Sequence, residues 1–450
     1  MVKWYSKVTG DPKNEPVIVD YVRTPLGSKK GTLWRLRGDD MFIHCLKTIT
    51  KRNPNIPLTD YEDVLCGCNS QIGTTALDVA KVSALAAGLP MSVPGVSMNR
   101  QCASGMQATI FGWQQIATQD KKCVLVGGVE AQNSYPIGAD MTIVGEGNAT
   151  QTIPPNPGMT KNPEVLAATK KYSDMIGWNA EIAGQITSAE VMGWVWQQKS
   201  GLPKEEFRRQ LDELSCMSHV KACKTWDIRA KEIEPIKVPK LDANGKPITE
   251  VTGALIEGQT ELTTKDEGPR DMPMEKMMAK LGELKGIVKR KSGLLTAGNS
   301  CPTTDGGVAM ILTSRGYAEE HSLKIRGTIE SWFVTGSDAV LMLTGPIDAM
   351  PPALKRAGLT LDDMDIIEIN EAFSTVVWAS GHELGFDYKD KRFNPCGSAI
   401  AIGHPTGVTG CRLIGSILNQ LDISKKSYGI GSLCVGLGMG IAAVVKREGA

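Results

Sequence analysis

Apolar residues along the chain fall into short continuous runs separated by stretches of helical period, the alternation expected of an α/β protein. Pro16-Val17-Ile18-Val19-Asp20-Tyr21-Val22 reads as a strand, closed by the turn Arg23-Thr24-Pro25-Leu26-Gly27. A helix is predicted around residues 39–51, a strand within 58–67 and a second helix over 76–88. Val93-Pro94-Gly95-Val96-Ser97-Met98 reads as a short buried strand. After it Ala108, Ile110, Phe111, Trp113 and Ile116 keep a helical spacing, and Cys123 to Gly128 forms a further strand.

The last third repeats this order. Leu359-Thr360-Leu361-Asp362-Asp363-Met364-Asp365-Ile366-Ile367-Glu368 mirrors the stretch from Leu58, and a helix from about Ala372 mirrors the one from Ala76. His404-Pro405-Thr406-Gly407-Val408-Thr409-Gly410 leads into a helix, as Cys102-Ala103-Ser104-Gly105 does. Four elements in the same order point to a duplicated α/β unit, whose equivalent loops meet at a pseudo-twofold axis. The expected division is a first half over 1–140, an insertion over 141–287 and a second half over 288–450. In the insertion Pro154-Pro155-Asn156-Pro157-Gly158 reads as a rigid loop and 202–225 as an amphipathic helix, with Phe207, Leu211, Leu214 and Met217 on one stripe. Asp242-Ala243-Asn244-Gly245-Lys246-Pro247 is a hairpin-type turn.

Composition narrows the class. With 450 residues and a formal net charge of +1, the chain has no broad basic face for nucleic acid. Its 11 cysteines are scattered without a CxxC pair, which argues against a disulfide framework or a zinc ribbon and for a reducing cytosolic or matrix-like compartment. The longest weakly polar run, Ile430 to Val445, is too short and glycine-laced to span a bilayer. No targeting signal is evident at either end.

Four stretches carry candidate chemistry. Cys102 lies where a strand turns into a helix, so unpaired backbone N–H groups and the helix dipole bias its thiol towards thiolate; a buried core cysteine is the plain alternative. Asn370, in Asn370-Glu371-Ala372-Phe373-Ser374, is either an N-cap or an amide that holds a water or carbonyl oxygen at a strand end. Of the 5 histidines His404 alone sits between glycines and ahead of a helix-initiating proline; His44 belongs to an apolar helix, and His219, His321 and His382 read as surface or packing residues. Cys434, in Ser432-Leu433-Cys434-Val435-Gly436-Leu437-Gly438-Met439-Gly440, lies in either a core hairpin or a glycine loop whose N–H groups form an oxyanion hole. Thr296 to Gly306, with Ser300 and Cys301, is as fit for a turn as for substrate contact.

Together these residues resemble the thiolase family nearly end to end. The motifs are the Cys102 stretch, Asn370-Glu-Ala-Phe, Gly403-His-Pro-x-Gly-x-Thr-Gly and Cys434-x-Gly-x-Gly-x-Gly, with Gly127-Gly128-Val129-Glu130 and Asp266-Glu267-x-x-Arg270 in support. The resemblance implies a duplicated αβαβα five-layered fold with an inserted loop domain. It implies Cys102 as nucleophile, His404 as its base, Asn370 as holder of an oxyanion-hole water and Cys434 as acid/base at the substrate α-carbon. The N–H groups of Cys102 and Gly436 make a second oxyanion hole. Arg270, Ser300, Cys301 and Met277 fall near coenzyme A. Departures are Leu437 for a glycine, Thr409 for serine, Cys301 and Met277 for serines, and Gln185-Ile186 for Met-Gly.

The expected activity is CoA-dependent cleavage of a 3-ketoacyl-CoA, or the reverse Claisen condensation, with coenzyme A as substrate and neither metal nor tightly bound cofactor. A homodimer or homotetramer is expected, with a hydratase/dehydrogenase partner subunit as a possibility and no nucleic-acid partner. Competing readings are a decarboxylating ketoacyl synthase, which has a second His or an Asn where Cys434 stands, and a CoA-binding scaffold, which loses one of the four groups. A cysteine hydrolase is a remote reading, because the sequence places no second His and no carboxylate to orient His404.

Overall fold

The computed structural model describes residues 6–29, 31–144, 150–152, 156–180, 184–288 and 293–450, so Pro154 and Pro155 of the expected rigid loop lie outside the described residues. The strands of the large sheet are β1 (Pro16–Arg23), β2 (Val64–Gly67), β3 (Val96–Met98), β4 (Cys123–Ala131), β5 (Thr304–Ser314), β6 (Gly327–Gly336), β7 (Ile366–Ile369), β8 (Tyr428–Val435) and β9 (Met439–Arg447). They run in the order β7-β8-β9-β6-β1-β5-β4-β2-β3, with the short Gly27–Ser28 strand beside β5. The helices that matter for the site are α1 (Gly38–Arg52), α2 (Val79–Ala87), α3 (Ser104–Ala117), α4 (Gln185–Ser200), α5 (Lys204–Lys224), α6 (Gly345–Ala357), α7 (Ser374–Leu384) and α8 (Thr406–Ser424).

The pairing repeats the duplication read from the sequence. β2 lies parallel to β4, as β7 lies parallel to β8; β4 is antiparallel to β5, as β8 is to β9. β5 is antiparallel to β1 with a register shift between Ile18 and Asp20, and β9 is antiparallel to β6 with a shift between Ile329 and Ser331. The two half-sheets meet at a single pair, Ile18 with Gly327.

Side-chain alternation along the strands builds the layers. Ile18, Tyr21, Val124, Val126, Val308 and Met310 point towards the centre, where they pack with Met106, Ile110 and Trp113 of α3 and Val408, Leu413 and Ile417 of α8. The intervening Val17, Val19, Leu125 and Ile311 point outward onto Phe42 and Leu46 of α1 and Ala80 and Ala84 of α2. The second half covers its outer face in the same way with α6, α7 and the helices of residues 185–224. Burial on both faces explains why these strands read as unbroken apolar runs. β3 is the exception to the buried strand expected there: it ends the sheet, pairs with β2 alone, and Val96 on it is exposed.

Among the described residues no strand of the 141–287 stretch joins the large sheet; Ile236–Pro239 and Thr260–Thr263 pair with one another. α5 buries Phe207, Leu211 and Leu214 as the stripe predicts, but the stripe continues through Ser218, with Met217 turned partly out. The turn at 242–247 is present, with Asp242 Oδ1 accepting from the N–H groups of Asn244 and Lys246, each at 2.8 Å.

A buried ion network fastens this stretch to β1. The guanidinium of Arg23 donates to Asp266 (2.6 and 3.0 Å) and to Glu232 (2.9 Å), Arg229 donates to Asp266 (2.5 Å), and Ser416 of α8 donates to Glu232 (2.8 Å). Burial alone would raise the Asp266 carboxyl, but the two guanidiniums and the N–H of Leu26 hold it below its ordinary 3.8. Removing one partner strands a buried charge, so Asp266→Asn is expected to cost about 3–5 kcal/mol in urea denaturation. The folded carboxyl titrates below the unfolded one. Its contribution is therefore present above pH 3.8 and lost as pH falls through the lower folded value, so wild type and variant should converge there.

Candidate active site

The turn between β3 and α3 is held by its own side chains. Asn99 Oδ1 accepts from the Gln101 N–H at 2.7 Å, and Ser104 Oγ accepts from the Arg100 N–H at 2.9 Å while donating to the Gln101 carbonyl at 2.7 Å. Gln101 is forced to φ +49°, a left-handed conformation uncommon for a side-chain-bearing residue, and Cys102 follows it, 3% exposed. Gln185 Nε2, at the start of α4, donates to Cys102 Sγ at 3.6 Å, and the N–H groups of Gly436 and of Cys102 itself also address the sulfur. The expected bias towards thiolate is overturned: burial pushes the Cys102 thiol up to about 11, more than these donors bring it down.

His404 sits in a loop that leaves little freedom. Gly403 has φ +102°, and a Cβ there would strike Thr304, whose Oγ1 accepts from the His404 N–H at 3.2 Å. The ring Nδ1 lies 2.7 Å from Thr409 Oγ1. That hydroxyl donates its one proton to the Pro405 carbonyl at 3.0 Å, so it accepts from the ring and Nδ1 carries the proton. Nε2 is left with its lone pair, 3.3 Å from Asn370 Nδ2. Burial, helped by Arg412, lowers His404 to about 3 and keeps the imidazole neutral. Asn370 follows β7, its N–H bonded to the Ser432 carbonyl at 2.9 Å, and its Oδ1 is buried without a protein partner.

Cys434 lies near the end of β8, 1% exposed, and burial raises its thiol well above the ordinary value, with Cys102 and Cys301 raising it further. Burial and the neighbouring Cys102 likewise bring Cys301 to about 12. Residues 102, 301 and 434 thus put three sulfurs close enough for a charge on one to be felt by the others. In the β8–β9 loop a Cβ on Gly436 would lie 3.2 Å from Gln101 Oε1, which sets this loop against the Cys102 turn.

Close backbone approach brings the two halves together here. A Cβ at Gly105 of α3 would lie 2.5 Å from the Gly407 carbonyl oxygen of α8. Glu130, fully buried near the end of β4, accepts from the N–H groups of Asn69 (3.0 Å), Ser70 (2.9 Å) and Gly407 (2.8 Å) and from Thr406 Oγ1 (2.7 Å).

Beside the sulfurs, a cavity of about 210 Å³ is lined by Arg270, His219, Ser28 and Gly298, and by Ser300 and Pro302, which flank Cys301. Met277 is not among its lining residues; it is buried against Cys216 and Leu281. His219, expected as a surface or packing residue, is buried, and beyond packing it lines this cavity and accepts from the Arg270 N–H at its Nδ1 at 3.3 Å. Its place next to Ser218 on the α5 stripe was the available signal. Gln185 stood out only as a departure from the family pattern and Thr304 only as part of the Thr296–Gly306 stretch, and neither was tied to Cys102 or His404. Among the described residues no group of three or more His, Cys, Asp or Glu is arranged to hold a metal ion, and no helix is long and apolar enough to cross a membrane.

Comparison with known proteins identifies the family. Residues 16–316 match the family model for the thiolase N-terminal domain and residues 323–447 that for the thiolase C-terminal domain. The 3-ketoacyl-CoA thiolase of Vibrio parahaemolyticus is 33% identical over 435 residues, 96% of this chain and 98% of that one. Among solved structures, the Bacillus anthracis acetyl-CoA acetyltransferase superposes with a TM-score of 0.77 at 29% identity, covering 96% of this chain and 98% of that one. Human mitochondrial 3-ketoacyl-CoA thiolase superposes with a TM-score of 0.76 at 26% identity, covering 97% and 100%. The chain belongs to the thiolase family. It is an acyltransferase.

Both thiol and imidazole are neutral in the free site, which sets a measurable pH dependence. Alkylation of Cys102 by iodoacetamide is expected to keep rising past pH 9.0, the ordinary thiol value, towards about 11. A plateau near neutral pH would instead reveal a preformed thiolate–imidazolium pair.

Proposed function

We propose that this acyltransferase cleaves a 3-ketoacyl-CoA with coenzyme A to acetyl-CoA and a shortened acyl-CoA, or runs the reverse Claisen condensation, through an acyl group carried on Cys102. The observation that carries the reading is the seating of the Gly436 loop on the Cys102 turn, where a Cβ on Gly436 would lie 3.2 Å from Gln101 Oε1, so that the nucleophile's turn adjoins the Cys434 loop. His404 Nε2, unprotonated and backed by the Nδ1–Thr409 bond, takes the Cys102 proton as sulfur attacks the 3-keto carbon. The Cys102 and Gly436 N–H groups then turn to the developing oxyanion.

Breaking the C–C bond releases the acetyl-CoA enolate. Its charge is met by His404, now carrying the proton, and by a water that the otherwise unpartnered Asn370 Oδ1 orients. Cys434 protonates the α-carbon. Its burial favours the neutral thiol required of a proton donor at physiological pH. The resulting thiolate deprotonates the incoming CoA thiol, which attacks the Cys102 thioester; Cys102 leaves as thiolate and recovers its proton from His404. In this reading the cavity at Arg270, His219, Ser300 and Pro302 receives coenzyme A, with Cys301 between two of its lining residues and Met277 outside it.

In this reading the chain divides into 1–140, 141–287 and 288–450, with β5 from the third stretch completing the first half-sheet. Coenzyme A is a substrate, no tightly bound cofactor is invoked, and the free thiols favour a reducing cytosolic or matrix-like compartment. A homodimer or homotetramer is supported by the open edge at β3, where Val96 is exposed along with Leu77, Met91 and Phe111 in the flanking stretches. Light scattering should give at least twice the chain mass.

Two substitutions test the chemistry. Cys102→Ser should abolish the acyl-enzyme and lower turnover at least about a thousandfold. Cys434→Ala should retain acyl transfer from a simple thioester onto Cys102 while losing CoA-dependent consumption of 3-ketoacyl-CoA, followed by its enolate absorbance. Equal residual activity of both variants in both assays would refute the division of labour.

A further inference from the structure

We infer that the side-chain amide of Gln185 is a catalytic group, donating a hydrogen bond to the sulfur of Cys102 and governing how readily its thiolate forms and departs. The inference rests on the reading of Cys102 as the nucleophile. Its basis is geometric. Nε2 of Gln185 lies 3.6 Å from Sγ, within the reach of a hydrogen bond to sulfur. Gln185 opens α4, a helix whose next turns are buried from Ser188 to Gly193. Glu190 of that helix is tied to the chain ahead of the cavity by the N–H groups of Leu294 (3.4 Å) and Leu295 (2.9 Å). The amide is thus presented from an anchored element.

The His404 imidazole is neutral, and the Glu130 carboxyl opposes a thiolate at Sγ. The remaining donors are the N–H groups of Cys102 and Gly436. In the proposed reaction both leave the sulfur for the substrate oxyanion at the moment of attack. Among the described residues Gln185 is then the side-chain donor that stays on sulfur. It is also the donor that receives the thiolate when the acyl group is passed to coenzyme A.

A hydrogen bond to a charged acceptor shifts such an equilibrium by about ten- to hundredfold. The test is site-resolved alkylation by iodoacetamide in the full-length protein, read by mass spectrometry on the Cys102 and Cys434 peptides across pH. Gln185→Met, which keeps length and removes the donor, should slow modification of Cys102 about tenfold or more and leave Cys434 unchanged. Gln185→Glu should match wild type at the acid end, where a protonated carboxyl still donates, and fall behind as that carboxyl ionises. A purely structural role would slow both cysteines, or give the glutamate variant the same deficit at every pH. Either result, or wild-type rates in Gln185→Met, overturns the inference. Incubation of wild type with acetyl-CoA tests the underlying reading separately: absence of an acetyl group on the Cys102 peptide would sink the nucleophile assignment itself.

Discussion

The site depends on one carboxylate. Glu130 is buried near the end of β4 and takes hydrogen bonds from the loop after β2 and from the start of α8, which belong to opposite halves of the duplication. Burial raises its carboxyl, and those four donors work against the rise. Because the bonds to Gly407 and Thr406 fix where α8 begins, they also fix the preceding residues, among them His404. A carboxylate that touches no candidate reacting group therefore sets the distance between the halves, and with it the distance between the imidazole and the sulfur. Glycines at the α3–α8 crossing let the backbones come close enough for this bond set to close.

A second theme is neutrality. The three sulfurs and the imidazole are all shifted by burial towards their uncharged forms. Such a site stores no ion pair that a substrate would have to break. Charge arises only when substrate arrives, among N–H groups and amides already in place, so little reorganisation accompanies the chemistry. The exposure of a helix start would have suggested otherwise for Cys102; the layers above and below α3 decide the matter.

Much of the scaffold was legible because burial on two faces writes continuous apolar strands, and because the second half repeats the first. The Leu58 and Leu359 stretches, for example, announce β2 and β7 directly. The edge position of β3 was not legible: a run such as Val93 to Met98 looks the same whether a neighbour covers it or not. The candidate reacting groups were marked by glycine and proline spacing around Cys102, His404 and Cys434. Their supports were not. Thr304 reaches His404 from about a hundred residues away, His219 hides in a helix stripe, and Gln185 follows a stretch without periodic pattern. Met277 illustrates the converse, since position along a motif gave no sign that its side chain faces Cys216 instead of the cavity.

The order of strands has a consequence for how the molecule is made. β5 lies between β1 and β4, yet it is translated after the whole 141–287 stretch. While the ribosome is still producing that stretch, β1 and β4 have emerged with their facing edges bare, and the thiol of Cys102 stands on an unfinished floor. Only when Thr304 to Ser314 leaves the tunnel does the gap close. Such distant pairing is slow and leaves strand edges open to other chains. A nascent chain of this protein thus passes through an interval in which those unpaired edges stand exposed.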